Sequence, residues 1–249
     1  MRYQDINSET IDRWIDEGWE WGKPISHEEF SRAKNGDFKI FLTPTKPIPK
    51  EWLGDLKNKK VLGLASGGGQ QMPILKALGA DCAVIDYSKK QIESELFVAE
   101  REGYKIDAVR GDITEKLPFG DESFDLIVHP VSNCYIKDID FVFREAYRVL
   151  KHGGIFIGGF DTEINHIVDE SETKIINAMP FDPTTNEEHR KQLEESDAGM
   201  QFSHTVAEQI GGQLKAGFIL EDIFDDTNGE GRLHELNIKT FIATRAIKK

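Results

Sequence analysis

Residues 60–88, KVLGLASGGGQQMPILKALGADCAVIDYS, contain the pattern that decides the fold. A short apolar run is broken by the glycines at 67–69, and a helical stretch then leads to a second apolar run that ends in Asp86. The first run predicts a buried strand, and the glycines let the backbone approach a ligand where a side chain would collide. A carboxylate at the end of the next strand can accept hydrogen bonds from both hydroxyls of an adenosine ribose. The stretch therefore predicts the nucleoside-binding half of a doubly wound α/β fold.

The alternation of strands and helices continues along the chain. Further strands are predicted at 105–113, 123–131, 154–160, 218–224 and 237–247. Strands separated by helices imply a parallel sheet covered on both faces, with ligands bound at the carboxyl ends of the strands. The last two strand patterns are joined by a turn without a helix, which predicts an antiparallel pair at the sheet edge. We therefore expect a seven-stranded, mostly parallel sheet with an antiparallel last strand.

Two segments lie outside this alternation. Residues 1–50 hold two amphipathic helical patterns, the second opened by Ser26 and Glu29 as a capping box, and then a connector rich in proline. Residues 161–203 carry eleven acidic residues against three basic ones and show little periodicity. We predict an N-terminal helical cap and linker over 1–50 and a main α/β domain over 51–249, with 161–203 as an insertion or lid.

Composition narrows the range of partners. The net charge is −13, from 44 acidic and 31 basic residues, which argues against nucleic acid as a partner because a polyanion would be repelled. No window offers the roughly 18 consecutive apolar residues of a membrane span, and the polar start lacks the layout of a signal peptide. We expect a cytoplasmic protein with no membrane partner. Cys82 and Cys134 have no metal-ligand spacing, so we expect ordinary thiols and no metal site, while the oligomeric state stays open.

The glycine-rich turn matches the dinucleotide fingerprint poorly. Gly63, Ala65 and Gly68 imitate it with an alanine in the second place, and the shifted register that starts at Gly67 puts Met72 where the third glycine belongs. A nicotinamide-dependent oxidoreductase shares the geometry of strand, turn and acid, so it stays an alternative.

Four segments carry a resemblance to a known family. They are VLGLASGGGQQ (61–71), VIDYSKKQI (84–92), GDITEKLPFGDESFDLIV (111–128) and YRVLKHGGIF (147–156). In this order and spacing they resemble the motifs of class I S-adenosylmethionine-dependent methyltransferases. The resemblance covers about residues 60–160 closely and the ending in outline. It implies a Rossmann-like fold and S-adenosyl-L-methionine as the cofactor.

The resemblance also implies roles at the ends of the strands. The residues expected at the cofactor are Ala65, Ser66, Gly67, Gly68, Gly69, Asp86, Tyr87, Gly111, Asp112, Ile113 and His129. Asp86 would bind the ribose hydroxyls, and Tyr87 would pack beside the adenine. Asp112 matches the position where a carboxylate accepts from the adenine amino group, and His129 would lie by the sulfur and methyl.

The sequence departs from the family at three places. Gly63 stands where the family usually has an acidic residue that contacts the methionine end of the cofactor, and Ala65 stands where it usually has glycine. The segment HPVSN at 129–133 does not match the signature of amide and base N-methylases. We therefore expect the methionine end to be bound differently. The mismatch at 129–133 argues against an amide or base N-methylase and leaves the acceptor atom open between nitrogen, oxygen, carbon and sulfur.

Methyl transfer from a sulfonium needs little catalytic machinery. The leaving group is already activated by its charge, so the protein mainly has to align nucleophile, methyl and sulfur and exclude water. A general base is needed only when the acceptor arrives protonated. His129, Asn133 and Tyr135 cluster after the fourth strand and are the candidate catalytic residues, although His129 could simply make a capping hydrogen bond and Tyr135 could be core.

The expected acceptor is a small molecule. Trp14, Trp19 and Trp21 could fold over its pocket as a cap, or Trp14 could pack in the core at helical spacing with Ile11. Two alternatives keep the cofactor and change the role. One is a non-catalytic module that binds S-adenosylmethionine, and the other is an RNA or protein methyltransferase.

Overall fold

The computed structural model describes residues 2–249. The strands are β1 (Lys60–Leu64), β2 (Asp81–Asp86), β3 (Asp107–Arg110), β4 (Phe124–His129), β5 (Leu150–Asp161), β6 (Phe218–Asp226) and β7 (Phe241–Lys248). The helices are α1 (Tyr3–Asp16), α2 (His27–Lys34), α3 (Gln71–Ala77), α4 (Lys89–Glu102), α5 (Ile139–Val149), α6 (Ile164–Ile167), α7 (Glu187–Glu195), α8 (Val206–Ala216) and α9 (Gly231–Glu235). Strand and helix alternate as the hydrophobic pattern predicts.

All seven strands form one sheet, in the order β3-β2-β1-β4-β5-β7-β6. Strands β1 to β5 pair in parallel, and β7 is antiparallel to both of its neighbours. The predicted fold class is confirmed. The predicted antiparallel pair at the sheet edge is also confirmed, with β7 between β5 and β6. Only the expected connection differs, because the short helix α9 lies between the two strands. The burial explains the order: β7 is largely buried, whereas β6 is mostly exposed and forms the edge.

The parallel strands are buried on both faces, which is why they read as continuous apolar runs. Successive side chains point to opposite faces of a strand. Val61 and Val84 therefore join the apolar cluster on one face, and Leu62 and Ile85 join the cluster on the other. The two clusters fix the sheet between helical layers.

The predicted capping box at Ser26 is confirmed, and two further helices begin with side-chain caps. Ser26 forms a reciprocal capping box with Glu29, and Ser88 and Asp138 accept the backbone N–H of Gln91 and Phe141. Strand ends are less predictable: β3 is only four residues long, whereas β5 runs for twelve. Strand β5 begins four residues before the predicted strand at 154–160 and ends one residue after it, at Asp161.

The carboxyl ends of β1 to β5 share one edge of the sheet. The strand order reverses at β1, because β2 and β3 lie on one side of it and β4 and β5 lie on the other. Ligands bind in the crevice at such a switch point. Two segments cover this edge, α1 and the chain from 161 to 203. They are tied together, because Asn7 donates to the carbonyl of Met200 at 3.0 Å and accepts from its N–H at 2.6 Å. Among the described residues, no helix has both the length and the apolar character needed to cross a membrane.

Candidate active site

Two adjoining cavities lie along the carboxyl edge of the sheet. The larger has a volume of about 350 Å³ and the smaller about 120 Å³. The residues that line both of them are Trp19, Ala65, Gln91, Val131 and Tyr135. The cavities therefore form one elongated depression. A more open groove of about 570 Å³, beside Lys60 and Lys105, lies at the opposite edge of the sheet and far from the strand ends that bind ligands in such folds.

Ala65, Ser66 and Gly67 of the turn after β1 line the depression, whereas Gly68 and Gly69, also predicted at the cofactor, line neither cavity. Ala65 adopts a left-handed backbone with φ of 47°, and Gly68 and Gly69 have φ of 97° and 70°. A left-handed backbone suits glycine, which explains why the family usually has glycine at the position of Ala65. A Cβ on Gly67 would come within 2.6 Å of Cβ of Gln91, so only glycine fits there.

Two carboxyl groups, those of the partly buried Asp86 and the fully buried Glu95, hold this turn. The N–H of Gly67 donates to Asp86 at 3.0 Å, and the N–H of Gly69 donates to Glu95 at 2.8 Å. Burial raises the pKa of Asp86 to about 6 and that of Glu95 to about 8. Asp86 also accepts from the N–H of Ser88 at 3.0 Å, so each of its two oxygens has one protein donor. The sequence pointed to Asp86 and did not reveal Glu95.

The smaller cavity gathers the residues predicted around the adenosine. Asp86, Tyr87, Gly111, Asp112 and Ile113 all line it. They come from the ends of neighbouring strands, which is the reason that spacing in the sequence could indicate them.

Helix α1 covers this cavity through a polar network that the sequence did not reveal. Arg2 donates to the hydroxyl of Tyr87 at 2.6 Å, and that hydroxyl donates to Asp5 at 2.7 Å. The Arg2 guanidinium also lies 3.5 Å from Asp112, and the hydroxyl of Ser8 donates to the Tyr87 carbonyl at 3.1 Å. The N-terminal segment is thus part of the site.

The larger cavity is lined mainly by aromatic and uncharged side chains. Its rings belong to Trp19, Trp21, Phe41, Tyr135 and Phe241. Two of the three predicted tryptophans therefore border the depression. The third, Trp14, packs on Trp19 with ring centroids 5.3 Å apart and donates to Asp197 at 3.3 Å, so its role is packing.

The missing acid at position 63 has a packing explanation. A Cβ on Gly63 would lie 2.8 Å from the sulfur of Met72, a side chain that is fully buried beneath the turn. No acidic side chain can be placed there without moving Met72. Polar groups of the cavity wall come instead from Ser66, whose hydroxyl donates to Gln71 at 3.2 Å, and from Gln71, which donates to the carbonyl of Phe41 at 3.1 Å.

His129 and Asn133 are not brought into the depression, which corrects their prediction as catalytic residues. Both are 0% exposed and neither lines either cavity. Nδ1 of His129 lies 2.7 Å from the Leu64 carbonyl oxygen, Nε2 lies 2.8 Å from the Asn133 side chain, and Asn133 also bonds to Gln209. Burial lowers the pKa of His129, so the imidazole is neutral. These side chains hold β4 to β1 and to α8.

Tyr135 lies where the two cavities meet, as a candidate beside the reacting groups should. Burial raises the pKa of its hydroxyl well above the ordinary value. The phenol therefore stays protonated at neutral pH. It can donate a hydrogen bond to a bound molecule, but it cannot serve as a base.

A second polar pair borders the larger cavity and was not recognised in the sequence. Asp161 ends β5, and the short helix α6 brings His166 back so that its Nε2 lies 2.9 Å from Oδ2 of Asp161. The two residues are 4% and 7% exposed. The available signal was an acid at a strand end with a histidine five residues later, inside the segment that reads as an irregular insertion.

Comparison with known proteins bears on this site. The sequence model of a family described as a methyltransferase domain matches residues 62–158. The uncharacterized methyltransferase YbaJ of Bacillus subtilis is 39% identical, over 97% of this chain and 97% of its own. The sterol 24-C-methyltransferase erg6 of Aspergillus fumigatus is 35% identical over 42% of this chain and 28% of its own.

A solved structure shows the same fold. The S-adenosylmethionine-dependent methyltransferase of Mesorhizobium loti superposes with a TM-score of 0.64 at 18% identity, covering 80% of this chain and 95% of that one. The similarity to YbaJ spans nearly the whole chain, and the strand order and the glycine-rich turn agree with it. These findings favour the hypothesis of a methyltransferase over that of a nicotinamide-dependent oxidoreductase. The chain belongs to the class I S-adenosylmethionine-dependent methyltransferases.

Proposed function

We propose that this chain transfers the methyl group of S-adenosylmethionine to a small, uncharged acceptor held in the larger cavity. The observation that carries the proposal is the shape of the depression, in which a smaller compartment beside Asp86 continues into a larger aromatic one. The cofactor, when bound, supplies a methyl group on a positively charged sulfur. The residues of this chain then have to bind, orient and exclude water.

The smaller cavity fits an adenosine. A carboxylate has about four acceptor positions, and Asp86 uses one on each oxygen for the N–H groups of Gly67 and Ser88. The remaining positions can accept the two ribose hydroxyls. The space above Gly67 is kept open because the residue has no side chain. The ring of Tyr87 is fixed by Arg2 and Asp5 and can pack beside the adenine.

The methionine end needs partners other than an acid at position 63. Ser66, Gln70 and Gln71 line the larger cavity next to the glycine-rich turn and offer a hydroxyl and two amides. These groups can bond both to an ammonium and to a carboxylate, because amides and hydroxyls donate and accept. We assign the methionine end to this side of the larger cavity.

The rest of the larger cavity suits a compact acceptor. Among the described residues that line it, none is Lys or Arg, so an anionic acceptor would find no countercharge there. A volume of about 350 Å³ holds roughly a dozen water molecules, part of which the methionine end would displace. The aromatic walls favour an apolar or aromatic frame. The missing countercharge argues against RNA, and the small volume supports a small molecule over a protein.

The test is calorimetric titration with S-adenosylhomocysteine, and separately with NADH. We expect micromolar binding of S-adenosylhomocysteine and none of NADH. Asp86→Ala removes two charge-assisted hydrogen bonds and should weaken binding by about 30-fold or more. Asp81→Asn, at the exposed start of the same strand, is the matched control and should bind like wild type. Equal affinity of wild type and Asp86→Ala would refute the assigned site.

Binding alone would leave the non-catalytic alternative open. Transfer of labelled methyl groups from S-adenosylmethionine to a panel of small acceptors separates the two. Tight cofactor binding with no transfer to any acceptor, under conditions where a known methyltransferase is active, would favour a binding module.

A further inference from the structure

Asp161 has incomplete hydrogen bonding at the wall of the larger cavity. Its Oδ2 lies 2.9 Å from Nε2 of His166, while its Oδ1 is buried and has no hydrogen-bond partner among residues 2–249. A buried polar atom without a partner costs about 1–3 kcal/mol, and more when it is charged. Such a cost is typical of a site that completes its hydrogen bonds with a ligand.

The pair is held in place by the surrounding chain. The ring of His166 packs against Phe181 with centroids 5.4 Å apart, and Phe181 stacks on His189 at 4.1 Å. The carbonyl of His166 accepts from the amide of Asn177 at 2.9 Å. His166 therefore keeps its Nε2 on Oδ2 of Asp161, and Oδ1 has no partner among the described residues.

The position of Asp161 points to the acceptor. It ends β5, which is separated from β2 and Asp86 by β1 and β4. When the adenosine lies beside Asp86, Asp161 is at the far end of the depression. Its ionisable neighbours are His166, Cys134 and Tyr135, and burial together with the charge of Asp161 raises the pKa of both Cys134 and Tyr135. Those two groups are therefore neutral and offer no countercharge.

We propose that Asp161, positioned by His166, accepts the proton of the acceptor's nucleophilic group, and that this group is a hydroxyl on a compact apolar or aromatic frame. The inference rests on the proposed function. The hydroxyl donates to Oδ1, its oxygen forms a bond to the methyl carbon, and the electron pair of the breaking carbon–sulfur bond goes to sulfur. The proton passes to Asp161, and the products are a methyl ether and S-adenosylhomocysteine.

A hydroxyl is the acceptor group that benefits most from such a carboxylate. An alkene attacks through its π electrons and loses a proton only afterwards, and an aromatic amine is neutral at this pH and attacks through its lone pair. A phenol or enol arrives protonated at neutral pH and becomes a good nucleophile as the proton leaves. A cavity without Lys or Arg in its described lining also provides no binding site for a carboxylate or phosphate on the acceptor.

The experiment compares two probes, 4-methylphenol and 4-nitrophenol, at a pH where only the second is ionised. The proteins are wild type, Asp161→Asn, His166→Gln and the control His152→Gln, which changes an exposed histidine near the start of the same strand. Asp161→Asn should lower turnover of 4-methylphenol by about 100-fold. It should leave turnover of 4-nitrophenol unchanged or raise it, because the ionised oxygen has no proton to give and the carboxylate of wild type repels it. His166→Gln should follow the same pattern with a smaller loss.

Titration with S-adenosylhomocysteine separates this inference from the proposed function. Failure of wild type to bind refutes the proposed function itself. Weaker binding by Asp161→Asn alone would mean that Asp161 holds the cofactor, which overturns the inference. Equal losses with both phenols would overturn the role as proton acceptor. No transfer to either phenol, by a wild type that binds S-adenosylhomocysteine, would overturn the hydroxyl acceptor.

Discussion

Two buried histidines at the ends of neighbouring strands have opposite surroundings. His129 ends β4, both of its ring nitrogens have partners, and it lines neither cavity of the site. His166, next to the end of β5, bonds to Asp161, whose second oxygen has no partner in the described chain and which borders a cavity. The difference teaches that burial does not separate a structural histidine from a functional one. The two kinds of histidine are distinguished by whether their hydrogen bonding is complete and by whether they border a cavity.

The largest expected effect tests whether Asp161 and His166 act as a unit. Groups that act as a unit are strongly non-additive, so the double variant Asp161→Asn with His166→Gln should lose no more turnover than Asp161→Asn alone, about 100-fold. Single-turnover kinetics with 4-methylphenol measure this. Additive losses would show that the two side chains contribute independently. His166 would then not act through Asp161, and its proposed difference from His129 would be contradicted.

The next effect concerns His129 and should appear in stability. His129→Ala leaves the Leu64 carbonyl and the Asn133 side chain unpaired and opens a cavity, so we expect the free energy of unfolding to fall by about 3 kcal/mol. Urea denaturation measures the loss, and turnover per folded molecule should change less than about threefold. A folded His129→Ala protein that has lost turnover would restore His129 as a catalytic residue.

Glu95 sharpens the comparison because its Oε2 is also buried without a partner among the described residues, yet it borders neither cavity of the site. Burial raises its folded pKa from 4.5 to about 8, so its contribution to stability is present below about pH 4.5 and is lost as the pH rises towards 8. Glu95→Gln imitates the protonated form. It should match wild type near pH 4 and exceed its free energy of unfolding by about 2 kcal/mol near pH 8. Equal stability at both pH values would contradict this protonation state.

The smallest effect separates the cofactor end from the acceptor end. Asp86 has a pKa of about 6 in the free protein, and its protonated form loses acceptor positions for the ribose. Binding of S-adenosylhomocysteine should be constant at higher pH and weaken by up to about tenfold for each pH unit below 6. Calorimetry across this range measures it. Asp86→Asn should abolish the dependence, and an unchanged slope in that variant would assign the titration to another group.

The residues that line the smaller cavity could be predicted from the sequence because they follow strand ends whose positions are set locally. A glycine-rich turn and the acid nineteen residues after Gly67 are set by strand, turn and helix lengths, and the sheet brings their ends together. The sequence could not decide between the two interpretations of His129, a catalytic residue or a residue that makes a structural hydrogen bond. His129 has the right position along the chain, and only the packing of Leu64 and Asn133 around it shows that its hydrogen bonds are complete.

The acceptor half could not be predicted for a physical reason. Asp161 and His166 lie in a segment with little periodicity, and their meeting depends on a long β5, on the turn of α6 and on the ring of Phe181. The polar cover formed by Arg2 and Asp5 over Tyr87 joins parts of the chain more than 80 residues apart. Contacts of this range depend on how the whole chain packs.

The sequence by itself determined the fold class, the glycine-rich turn after β1 and the acid at the end of β2. Short-range hydrophobic periodicity and the backbone freedom of glycine dictate those features. The tertiary structure alone decided which buried polar groups have complete hydrogen bonding and which of the others belong to residues that border a cavity. Hydrogen-bond completion is a property of a three-dimensional neighbourhood. No spacing along the chain encodes it.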